Sequence, residues 1–77
     1  MGESANGVPV PRLATLRKRA GMSQRELAER AGVGKNTISR LEQGGNARYD
    51  TIEKLAQALG TKRAILVQPL RHPQMRQ

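Results

Sequence analysis

The chain has 77 residues, 14 Lys and Arg against 6 Asp and Glu for a net charge of +8, one aromatic residue (Tyr49) and no cysteine. That length suits one small domain and is too short for an enzyme with a deep cleft, and the missing thiols exclude a disulfide scaffold and a thiolate zinc site and fit a reducing cytoplasm. The basic excess suits a polyanion partner. No apolar run approaches the roughly 20 residues of a membrane span, and no basic amphipathic helix with a broad apolar face argues for a membrane surface.

The stretch from Met1 to Pro11 is polar and glycine-bearing at first and is then broken by prolines at 9 and 11, so residues 1–10 are predicted to be a disordered or extended arm. The start lacks the basic and apolar segments of a secretion signal. A first helix should run from Pro11 or Arg12 to Ala20, with Leu13, Leu16 and Ala20 inward and Gly21 as its stop. Arg17, Lys18 and Arg19 give it a basic end that suits the helix dipole. Met22 reads as core filler.

Ser23 followed by Glu26 is a capping box: the serine oxygen can accept a free backbone N–H while the glutamate reaches back to the serine N–H. Leu27, Ala28 and Ala31 then share one helical face, and Gly32 stops the helix because glycine takes the left-handed conformation at no steric cost. Val33 comes next as an apolar plug, and a third helix starts near Gly34 or Lys35 with Ile38 and Leu41 buried. Helices joined by so tight a turn cross steeply and leave the outer face of the second exposed. That face carries Lys35, Asn36, Ser39 and Arg40, all able to donate to base edges and phosphates.

The runs Ser-Gln-Arg-Glu-Leu-Ala-Glu-Arg-Ala-Gly-Val (23–33) and Thr-Ile-Ser-Arg-Leu-Glu-Gln-Gly (37–44) resemble the helix-turn-helix of the Cro/cI-type (XRE-type) DNA-binding regulators. The likeness extends from about Arg12 to Gly60. It implies an all-α, lambda-repressor-like domain of four helices, or five, over residues 11–60. It further implies that Arg17 pairs with Glu42 at the end of the third helix, and that Lys35, Asn36, Ser39 and Arg40 read bases in the major groove of double-stranded DNA. Ser23 and Gln24 at the start of the second helix, with Thr37, Gln43, Asn46 and Arg48, would hold phosphates. The chain departs from the family in lacking the proline usual near Tyr49, and its arm, with Glu3 and no basic residue before Arg12, does not match the basic arm some repressors use.

Residues 43–49 read as a glycine-rich loop that orders on binding, with the Tyr49 ring packed on the helices. Asp50 with Glu53 suggests a second capping box opening a fourth helix over 51–59, with Ile52, Leu55, Ala56 and Leu59 inward and Gly60 as its close. In the tail, residues 61–77, the branched run Ala64-Ile65-Leu66-Val67 ahead of Pro69 reads as a strand. The alternative is a truncated fifth helix. A lone strand would pair with its copy in a second subunit through Ile65, Leu66, Val67 and Leu70, giving a homodimer.

The single His72 has no partner for a metal site, and no nucleophile, base or phosphate-cradling loop is assembled, so neither enzyme activity nor a cofactor is expected. The reading is a sequence-specific transcriptional regulator on a short palindromic operator. Its runner-up is an antitoxin whose tail holds a toxin protein.

Overall fold

The computed structural model describes residues 7–69: a two-stranded ribbon and five helices. In chain order these are β1 (Val8–Pro9), α1 (Leu13–Arg19), α2 (Gln24–Ala31), α3 (Lys35–Glu42), β2 (Asn46–Ala47), α4 (Tyr49–Leu59) and α5 (Arg63–Val67). β1 and β2 run antiparallel, Val8 opposite Ala47 and Pro9 opposite Asn46. Leu13, Leu27, Ile38 and Leu55, one from each of the first four helices, are fully buried together. α2 packs on both α3 and α4, and α1 on α3. Met22 lies partly buried against this core.

At both ends of the described chain the structure takes one of the two alternatives that the sequence left open. Val8–Pro9 are extended, as β1, and Val10, 1% exposed, belongs to the core, a burial the sequence reading did not expect. At the other end no strand forms over the described part of 64–70. Residues 63–67 make a single helical turn, α5, and Leu66 is buried at 0% exposure among the other helices. The reason is burial: a lone strand leaves its backbone groups unpaired, whereas one helical turn lets Leu66 enter the core and overrides the β preference of a branched run. Leu66 is therefore unavailable as a dimer contact, Ile65 is half-buried, Val67 is exposed and Leu70 lies outside the described residues. Arg12 Nη2 donates to the Pro69 carbonyl at 3.3 Å, tying the entry of α1 to the exit of α5.

Three local expectations are also corrected. Asp50 caps nothing, because α4 begins two residues earlier than expected, at Tyr49 with Arg48 as its N-cap; Asp50 falls in the first turn, where its charge still suits the dipole. Ala20 is exposed at the end of α1. Tyr49 is 62% exposed, with the Arg63 guanidinium 4.7 Å from its ring centre and Arg63 also paired to Glu53 at 3.3 Å.

Leu66→Ala should lower the unfolding free energy by about 3 kcal/mol, as for other buried leucines, while Val67→Ala should cost less than about 1 kcal/mol. Urea unfolding monitored by circular dichroism measures both. Equal losses would contradict the packing of α5.

Candidate nucleic-acid interface

The turn between α2 and α3 is set by short-range chemistry. Ser23 Oγ accepts from the Glu26 N–H at 3.0 Å, and the Ser23 N–H donates to Glu26 Oε1 at 2.9 Å, so both halves of the box are closed. Gly32 ends α2 at φ +75°, a left-handed backbone that a branched residue would resist. The Val33 N–H then donates back to the Ala28 carbonyl at 3.0 Å, completing the reversal. α3 leaves with Ile38 and Leu41 buried and with Lys35, Asn36 and Arg40 exposed. Thr37 and Ser39 are half-buried, and the Ser39 hydroxyl accepts from Gln43 Nε2 at 3.2 Å.

A cluster around one carboxylate fixes how α3 sits. Arg17 Nε donates to Glu42 Oε2 at 2.6 Å and Nη2 to Oε1 at 3.1 Å, a two-pronged pair whose side chains are only 11% and 9% exposed. Arg17 Nη1 also donates to the Met22 carbonyl at 2.8 Å, and Gln24 Nε2 donates to Glu42 Oε1 at 3.0 Å. Glu42 thus joins α1, the connection to α2, and the first residue of α2. Burial alone would push the Glu42 carboxyl up. Hydrogen bonds from Arg17 and Gln24, with the charges of Arg17 and Lys18, outweigh it and hold the group below the usual carboxylate range. The same hydrogen bond raises Arg17 above its ordinary value against a smaller opposing effect of burial.

At the far side of α3, Thr37, Arg40, Asn46 and Arg48 line one open cleft with Thr51, floored by Leu41 and Ala47. The cleft brings together one expected base-reading group, Arg40, and three expected phosphate-holding groups, Thr37, Asn46 and Arg48; Lys35, Asn36, Ser39 and Gln43 do not line it. Gln24 has an amide hydrogen committed to Glu42, and Ser23 has its oxygen committed to its cap. Sequence reasoning missed Gly45. Its N–H donates to the Arg40 carbonyl at 2.9 Å, and an added Cβ would lie 2.9 Å from that oxygen and 3.1 Å from Arg40 Cγ. Only glycine lets the Arg40 stem lie against the loop. The adjacent Gly44-Gly45 pair was the available signal. Among the described residues no group of His, Cys, Asp or Glu is placed to hold a metal, and no helix is long and apolar enough to cross a membrane.

Comparison with known proteins agrees with this geometry. The helix-turn-helix (HTH_3) family pattern matches residues 13–66. An uncharacterised HTH-type transcriptional regulator, y4dJ of Sinorhizobium fredii, is 40% identical over 57 residues, 73% of this chain and 74% of that protein. The N-terminal DNA-binding domain of the master biofilm regulator SinR from Bacillus subtilis superposes with a TM-score of 0.71 at 29% identity, covering 87% of this chain and all of that one. SinR in complex with DNA gives 0.70 at 34% identity, over 74% and 94% of the two chains. The restriction-modification controller protein C.AhdI of Aeromonas hydrophila gives 0.69 at 36% identity, over 71% and 85%.

Glu42→Gln should destabilise the fold by about 3 kcal/mol at pH 7, because Arg17 is left charged and under-paired in a nearly dry site. A carboxyl held low when folded contributes stability above its unfolded value of about 4.3, and that contribution is lost as pH falls through the lower folded value. The gap between parent and variant in urea unfolding should therefore narrow from pH 7 to pH 3. A constant gap would show that the ionised pair is not its source.

Proposed function

This chain belongs to the helix-turn-helix family of DNA-binding transcriptional regulators, of the Cro/cI (XRE) type, and from that premise we propose that it binds a short palindromic operator sequence-specifically, as a homodimer with α3 in the major groove. Members of this family are generally not enzymes. The observation that carries the proposal is the cleft where Arg40 and Thr37 of α3 meet Asn46 and Arg48 of the adjoining loop. One docking motion would bring donors to base edges and cations to the flanking backbone. Lys35, Asn36, Ser39 and Arg40 read bases, arginine and lysine suiting guanine and asparagine suiting adenine. Thr37, Gln43, Asn46 and Arg48 hold phosphates, as do Ser23 and Gln24 at the start of α2, where free N–H groups favour an anion. The net charge of +8 draws the chain to the duplex in the cytosol.

Two copies would place two recognition helices about 34 Å apart, in successive major grooves. The exposed large apolar residues among those described, Val8, Tyr49 and Val67, line one groove between β1, α4 and α5. That groove, not a tail strand, is the surface through which the second copy docks in this reading. The antitoxin alternative drew on the apolar tail, and with Leu66 inside the core no specific observation favours it.

Arg40→Ala should cost about 1–3 kcal/mol on the preferred duplex and relax specificity at one base pair. Arg48→Ala should weaken all duplexes alike and reduce the slope of log affinity against log salt by about 1. Fluorescence titrations on operators selected from genomic fragments measure both. Uniform loss across sequences for Arg40→Ala would remove base reading from that residue.

Val67→Glu should shift the chain to monomer in a sedimentation concentration series without unfolding it. A parent chain that is monomeric throughout, on DNA as well as off it, would refute the homodimer.

A further inference from the structure

We infer that β1 with its flanking residues Gly7 and Val10, an uncharged segment, is a positioning element for DNA recognition: it holds the loop between α3 and α4 in its binding shape before DNA arrives. This inference rests on the DNA-binding reading above. The loop has two glycines, Gly44 and Gly45, and left alone would order only on contact with DNA, at a cost in affinity. It is instead pinned by a partner from the other end of the sequence. Val8 and Pro9 pair with Ala47 and Asn46, and the position of a Cβ on Gly7 would lie 2.8 Å from Asn46 Cβ. The strand is itself anchored, because Val10 is buried in the core and its backbone carbonyl accepts from the Leu13 N–H at 3.0 Å.

The pinned residues are the ones that matter for binding. Asn46 and Arg48 flank the buried Ala47, and Gly45, next along, is where the Arg40 stem rests. Gly7 also forms part of the wall of the cleft that Arg40 and Arg48 line. Gly, Val, Pro and Val bring no cation to a phosphate, so the strand acts through the loop it orders. Its effect is to lower the ordering cost of binding, and that effect runs through Arg48 and Arg40.

The test uses the full chain carrying Val8→Gly and Pro9→Gly, which loosens β1 and leaves Val10 in the core. Amide exchange at Ala47, whose N–H faces Val8 across the ribbon, should become fast while that of Leu27 and Leu55 stays slow. Affinity for the selected operator should fall about fivefold, the scale of ordering one or two long side chains on binding. In an Arg48→Ala background the same double change should cost less than about twofold, because coupled residues do not add. Pro9→Val, which puts a strand-favouring side chain at a residue outside the groove assigned to the second copy, should bind within about twofold of the parent. Gly7→Val, which crowds Asn46 from the other direction, should weaken binding as the double variant does. Unchanged affinity with a freely exchanging Ala47 amide would overturn the inference alone. So would an undiminished loss in the Arg48→Ala background, which would mean that the strand acts on DNA directly or through the contact between copies that Val8 lines. No duplex binding by the parent chain at low salt would sink the functional reading and this inference with it.

Discussion

The structure depends on the carboxylate of Glu42. It is the last residue of α3, and it receives Arg17 from α1 and Gln24 from the start of α2, while Arg17 also holds the Met22 carbonyl between those helices. The apolar contacts of Leu27, Ile38 and Leu55 are stronger in sum, but they are non-directional and would tolerate a small rotation of α3 about its axis. A two-pronged guanidinium–carboxylate pair would not, since its geometry is planar and its members are almost out of water. Hydrophobic burial decides that α3 is attached. The ion pair decides which of its faces looks out.

The other end of the control lies in the loop after α3. Arg40 would be a long, freely rotating cation on most helices. Here its stem rests on Gly45, and the loop bearing Gly45 is tied to β1. α3 is therefore bracketed by a polar lock at Glu42 and by a backbone seat at Gly45, only three residues apart in sequence. Surface pairs such as Arg63 with Glu53 contribute little by comparison, being nearly half exposed on both sides and worth at most about 1 kcal/mol.

How much the residues disclose in advance depends on the range of the interactions. The Ser23–Glu26 box, the Gly32 reversal and the inward set Leu27, Ala28, Ile38 and Leu41 are all decided within a few residues of themselves, and the structure has them where spacing puts them. The Arg17–Glu42 pair was legible only through family resemblance, since nothing local links two helices across the turn. β1 was illegible for a different reason: two residues among prolines make no pattern, and their partner strand lies beyond three helices. α5 misled because Ile65, Leu66 and Val67 carry strand propensity, while the space that accepts Leu66 exists only once the other helices are assembled. Asp50 shows the smaller version of the same limit: a two-residue shift in where α4 begins removes the cap that the spacing suggested. Which groups share the Arg40 cleft was likewise hidden, because the loop's path is set by β1 and not by its own composition.

The core draws Val10 from one end of the chain and Leu66 from the other, and Arg12 fastens its two margins through the Pro69 carbonyl. The interior is thus shared between residues 56 positions apart in sequence, so emptying the place of either Val10 or Leu66 would leave a cavity whose cost falls on the whole cooperative unit rather than on one margin.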